Sequence, residues 1–65
     1  MPSPVRYAEV ARMLMKTGWR FERSAASHFV WFKPGIGMFP VPVHRGMVKY
    51  VYVREIQKLN EAAQG

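Results

Sequence analysis

Two histidines are the side chains in this 65-residue chain best suited to trading protons near neutral pH. An unperturbed imidazole titrates at roughly 6.5, so it can both take and return a proton there. His28 opens the most apolar run of the sequence, Phe29-Val30-Trp31-Phe32. Aromatic and β-branched residues in succession favour a pleated strand with neighbours on both faces. A histidine at the first position of such a strand is held by its backbone yet stays near the sheet edge, where a substrate can reach it. An ordinary surface histidine would occupy the same place, so position must be weighed with the rest of the chain.

The remaining composition narrows the chemistry. There is no cysteine, which excludes disulfide staples and thiolate metal sites and fits a reducing cytoplasm. Ten Lys and Arg stand against four Glu, a formal charge of +6 that attracts polyanions: RNA, DNA or an acidic protein. Two-metal nucleases need clustered carboxylates as hard oxygen ligands. Glu9, Glu22, Glu55 and Glu61 are scattered along the chain, and a His28–His44 metal pair lacks an evident third ligand. Any strand cleavage is therefore expected to be metal-free, and no cofactor is expected.

A chain of 65 residues is read as one domain, residues 1–65. It buries only roughly 60% of the surface that its unfolded form exposes, so its stability is modest and a bound partner would add to it. Met1 to Val10 has no apolar core behind a basic tip, and no apolar run approaches a membrane span. The expected location is the cytoplasm, with no membrane partner.

Several elements are needed to position His28. Ser3-Pro4 offers an N-cap and a first-turn proline, and Tyr7, Val10, Ala11, Leu14 and Met15 recur at helical spacing up to the stop at Thr17-Gly18. This predicts a helix over about Tyr7 to Lys16. Trp19, Phe21 and Arg23 alternate with Arg20, Glu22 and Ser24 as a first strand, and Ser24 to Ser27 reads as a loop. The second strand, His28 to Lys33, puts His28, Val30 and Phe32 on one side and Phe29 and Trp31 on the other. Both sides are apolar; one can pack on helices, and the other is left for a partner, for stacked bases or for solvent.

Pro34-Gly35-Ile36-Gly37 is turn chemistry before a third strand, Met38 to Val43. Pro40 and Pro42 are two apart, so their missing N–H groups fall on one edge, which can have no ladder neighbour. From Met47 to Val53 the pattern alternates like a strand, whereas Tyr52, Ile56, Leu59 and Ala63 form a helical stripe. The stripe predicts a loop to about Tyr50 and a helix from Val51 to Ala63. Helix, three strands and helix make an α+β layer with a three-stranded antiparallel sheet and both helices on one face.

Three pieces in order, G-W-R-F-E-R-x4-S-H-F, P-V-P-V-H-R-G and V-R-E-I-Q-K, resemble the HicA family of bacterial toxins from Tyr7 to about Ala62. The resemblance implies a double-stranded-RNA-binding-domain-like fold in the order α-β-β-β-α. It also implies an mRNA interferase of a type II toxin-antitoxin system, held inactive by a cognate HicB-type antitoxin. Ser27-His28 matches the family's serine-histidine signature, which makes His28 the catalytic position. Val41-Pro42-Val43-His44 matches the end of the third strand, with Arg45-Gly46 following and Lys49 in the run into the last helix. Three departures stand out: Ala26 replaces the glycine before Ser27, the loop after Gly46 is about one residue short, and Tyr50-Val51 replaces a proline-glycine step. The alanine is expected to remove the freedom to adopt positive φ and the closest backbone approach to a phosphate.

The function so implied is metal-independent cleavage of single-stranded RNA. His28 would serve as general base, with Ser27, His44, Arg45 and Lys49 binding RNA or stabilising the transition state. His44 has two readings, general acid for the departing oxygen or a loop histidine tying down a backbone carbonyl. A non-catalytic RNA- or partner-binding module of the same fold is the alternative. A small DNA-binding protein is a third reading, without helix-turn-helix spacing or a basic recognition helix in its favour.

Overall fold

Alternation along the central strand decides the architecture. The computed structural model describes residues 2–64 and runs β1 (Val5–Arg6), α1 (Tyr7–Lys16), β2 (Arg20–Ala25), β3 (His28–Lys33), β4 (Gly37–Pro42), β5 (Met47–Val48) and α2 (Tyr50–Gln64). Strands β2, β3 and β4 form an antiparallel sheet in that order. Phe29 lies opposite Val41 and Trp31 opposite Phe39. Trp31 and Val41 join Val10 and Leu14 of α1 and Val53 and Ile56 of α2 in one buried cluster, with Phe29 and Phe39 packed against it. Both helices therefore cover the Phe29–Trp31 side of the sheet, in the α+β, double-stranded-RNA-binding-domain-like arrangement expected. Fully burying a side chain such as Leu14 or Ile56 contributes about 1.5–3 kcal/mol, so a few residues hold the layers together.

The third predicted strand is an edge, as its prolines require. The N–H of Val43 donates to the Ser27 carbonyl at 2.9 Å, which sets the phase of the ladder: Val41 and Phe39 point their backbone groups at β3. Pro40 and Pro42, opposite Val30 and His28, turn their donor-less nitrogens outward.

Several local expectations are corrected. Helix α1 starts at Tyr7, but Ser3 does not cap it: Arg6 holds the N-cap position with extended backbone and no side-chain cap bond. The first turn is tied down from outside instead, because Val5–Arg6 pairs with Met47–Val48 and the Tyr7 N–H donates to the Gly46 carbonyl at 2.9 Å. That two-stranded sheet was not expected: Met47–Val48 lies in the stretch read as a loop, and Val5–Arg6 is too short to show alternation. Met15 of the helical stripe is 58% exposed, and Met13 lies against the core in its place.

The first predicted strand begins one residue later, leaving Trp19 in the core ahead of it, and it carries a bulge. The register passes from Phe21 opposite Trp31 to Arg23 opposite Val30, which leaves Glu22 unpaired and moves Arg23 to the face opposite Phe21. The predicted loop Ser24 to Ser27 shortens to a two-residue turn, Ala26-Ser27.

Helix α2 begins at Tyr50, one residue before the predicted start, and its buried line is Val53, Ile56 and Asn60. Tyr52 and Leu59 only flank that line, and Ala63 is exposed. Asn60 explains the rotation of the stripe. Its Oδ1 accepts hydrogen bonds from Trp19 Nε1 at 2.8 Å and Lys33 Nζ at 3.4 Å, so a polar residue occupies a core position.

Candidate functional site

His28 stands at the first position of β3 on the face away from the helices, in line with Val30 and Phe32. The residue is exposed, and among the described residues its imidazole has no hydrogen-bond partner. The turn before it is tight. Ala26 adopts φ 53°, the left-handed region that an alanine rarely enters. The loss of positive φ expected from the missing glycine does not occur; the backbone keeps that conformation and carries its strain, about 1–2 kcal/mol for an L-residue.

The Ser27 carbonyl, bound by the Val43 N–H, brings the start of β3 beside the end of β4. His44 follows immediately. Its backbone N–H and carbonyl exchange two 2.9 Å hydrogen bonds with Met47 around the turn Arg45-Gly46, whose φ values of 55° and 76° match a type I′ hairpin. The main chain of His44 thus makes the local contacts. Its imidazole is exposed and has no hydrogen-bond partner among the described residues, against the reading in which the ring ties down a carbonyl.

Ser27, His28 and His44 are therefore gathered at one end of the sheet. Arg45 caps the adjoining turn, and Lys49 lies on the return, between β5 and α2, where its carbonyl accepts the Tyr52 N–H at 3.0 Å. Both cations are exposed and have no carboxylate partner among the described residues. No hydrogen bond joins the side chains of these five residues. All five are exposed: one hydroxyl, two imidazoles and two cations. Among the described residues, no three His or Glu side chains cluster as metal ligands would.

Two cations that the sequence patterns did not single out share the His28 face. Arg20 lies opposite Phe32, its guanidinium carbon 4.9 Å from the ring centroid, and Arg23 lies opposite Val30 because of the bulge. Simple alternation assigns Arg23 to the other side. Only the register shift reveals it, and no residue type in R-F-E-R-S announces a bulge.

A concavity lies elsewhere. A groove of about 310 Å³, lined by Gly35, Ile36, Leu59, Ala62 and Ala63, sits at the far end of β3 from His28 and contains no titratable group. Among the described residues, Tyr7 is the one whose acidity clearly moves: burial pushes its phenol up, partly offset by the hydrogen bond that its oxygen accepts from Trp31 Nε1 at 3.1 Å. It lies under the sheet and serves packing.

No helix among the described residues is long and apolar enough to cross a membrane. No curated protein and no solved structure matches the chain. The family model described as HicA toxin of bacterial toxin-antitoxin matches residues 7–62. With the layered fold in place, that match over nearly the whole chain identifies it as a member of the HicA toxin family, the toxin half of a toxin-antitoxin pair.

Proposed function

We propose that this toxin is an endoribonuclease of the cytoplasm that cleaves single-stranded mRNA without a metal ion, with His28 as general base. The observation that carries the reading is the position of His28: exposed, unpartnered among the described residues, and beside the His44–Arg45 turn. An RNA strand supplies its own nucleophile. His28 removes the 2′-hydroxyl proton, the oxygen attacks the adjacent phosphorus, and the bond to the 5′ oxygen breaks. The products are a 2′,3′-cyclic phosphate and a 5′-hydroxyl, whose proton comes from His44 or from water. General-base help of this kind contributes about 10²–10⁴-fold. Arg45 or Lys49 offsets the charge that builds on the phosphate oxygens, and the Ser27 hydroxyl binds one of them.

A HicB-type antitoxin is the cognate partner in this reading, and it silences the toxin by covering His28. A chain with a surplus of six positive charges favours an acidic partner.

The test is cleavage of a defined oligoribonucleotide in excess EDTA. Cutting is expected to stop when the scissile nucleotide is 2′-deoxy and to drop about 10²-fold or more in His28→Ala with the fold intact. Undiminished cleavage by folded His28→Ala would refute the assignment. The non-catalytic alternative takes its place if neither protein cuts and both bind RNA.

A further inference from the structure

The face of the sheet opposite the helices carries a line of groups that stand outside the core cluster. Val30 is buried there but stands apart from the core cluster, walled by Arg23 on one side and Pro40 on the other. Four residues from His28 on the same face, about 13 Å along the strand, lies Phe32 with the Arg20 guanidinium over its ring. Arg20 is 70% exposed; its Nε donates to Glu22 Oε1 at 3.3 Å, and its terminal nitrogens have no partner among the described residues. Arg23 has no carboxylate partner among the described residues either.

We infer that this face, from the Arg20–Phe32 pair through Arg23 to His28, is the track along which the RNA strand lies. The inference rests on the RNA-cleaving reading above and gives it a binding surface. Arg20 and Arg23 hold phosphates. The guanidinium lodged over Phe32 is a planar cation on which an unpaired base stacks. Such a platform selects single strands, because a duplex keeps its base faces covered. The bulge at Glu22 is what builds the track, since without it Arg23 would point at the core side of the sheet.

Charge and geometry favour RNA over a protein at this face. The arginines are separated by one register pair, Phe21–Trp31, with Arg20 opposite Phe32 and Arg23 opposite Val30, and they lead in line to the group that would do the chemistry. Among the described residues, Glu22 is the one carboxylate on this strand beside them.

The experiment uses the full chain carrying His28→Ala, so that bound RNA is not cut, and a short fluorescent single-stranded oligoribonucleotide. Its dissociation constant is measured across a range of salt. Adding Arg20→Gln or Arg23→Gln is expected to lower the slope of log affinity against log salt by about 0.7 for each phosphate left without its arginine. Phe32→Leu is expected to weaken binding about tenfold with the slope kept. Arg12→Gln, on the outer side of α1, serves as the control for general charge and should leave the slope in place. Amide shifts of the unaltered sheet in His28→Ala give an independent map, since RNA should move Arg20, Arg23 and Phe32 and spare α1 and α2.

A slope unmoved by Arg20→Gln and Arg23→Gln, or moved as much by Arg12→Gln, overturns the track. So do amide shifts confined to the helices, or variants that lose a co-expressed protein partner and keep RNA. If the unsubstituted chain still cuts RNA under any of these results, the cleavage reading survives and only the track fails. If it neither cuts nor binds RNA, both fail.

Discussion

The indole N–H of Trp19 donates to Asn60 Oδ1 at 2.8 Å, joining residues 41 apart in sequence inside the core. This bond locks the start of the sheet to the last turns of α2. Asn60→Leu removes the acceptor and leaves a buried donor unpaired, at a cost of about 1–3 kcal/mol. A drop in melting temperature of about 4–8 °C per kcal/mol is expected for a domain of this size. Adding Trp19→Phe to Asn60→Leu should recover part of the loss, because the orphaned donor is then gone. A double variant that is no better than the sum of its parts would deny the coupling.

Ala26 holds a left-handed φ of 53° in the turn that positions His28. Ala26→Gly releases that strain and, after the greater freedom it gives the unfolded chain, should stabilise by about 0.5–1 kcal/mol. The measurement is a urea midpoint at unchanged slope. A fall in the midpoint would show that the turn is not strained.

Pro40 and Pro42 blunt the outer edge of β4. Replacing both by valine supplies two outward N–H donors and a β-branched surface, and the variant is expected to self-associate through that edge. Light scattering at increasing concentration reads the outcome. A double variant as monodisperse as the parent would mean that the prolines have no protective role.

Burial raises the Tyr7 phenol above its ordinary value near 10. The folded chain therefore keeps this proton after the unfolded chain has lost it. Below about pH 10 the residue adds no pH dependence, and above it stability falls as pH rises through the folded value only if the unfolded phenol ionises first, which is the order that a raised folded value dictates. The sign follows from the neutral form being the one that burial favours: each proton the unfolded chain sheds above pH about 10 draws the equilibrium toward unfolding. The informative quantity is the difference between the parent and Tyr7→Phe. The substitution should flatten the alkaline fall while lowering stability at neutral pH, where Trp31 Nε1 loses its acceptor.

His44 and His28 can be separated by their kinetics. If His44 delivers the proton to the leaving oxygen, His44→Ala slows a substrate with an ordinary 5′ oxygen and spares one whose leaving group departs without a proton. His28→Ala should slow both alike. Equal sensitivity in His44→Ala would confine that residue to the turn.

Much of the architecture was legible from residue types. The two prolines fixed the edge strand, the aromatic run His28 to Lys33 gave the central strand to the residue, and Thr17-Gly18 ended α1 where expected. What escaped the sequence was tertiary in origin. Asn60 looks polar and exposed until Trp19 arrives to use its oxygen. Val5–Arg6 looks like the lead into a helix until Met47–Val48 pairs with it. Arg23 changes faces through a register slip. The same holds for the candidate site: His28 was visible as a residue type at a strand start, whereas its alignment with Arg20 and Arg23 exists only once β2 is bulged against β3.

The pairing of Val5 with Val48 has a consequence for the order in which the protein is made. The hairpins of β2, β3 and β4 join neighbours in sequence and can close as soon as they leave the ribosome. The strand that anchors the His44–Arg45 turn waits until Val48 has been synthesised, although its mate Val5 left the ribosome 43 residues earlier. A chain stopped short of Met47 therefore contains His28 and its sheet but lacks the clamp on the rim beside it. Truncated translation products of this toxin are expected to be crippled by geometry before any antitoxin meets them.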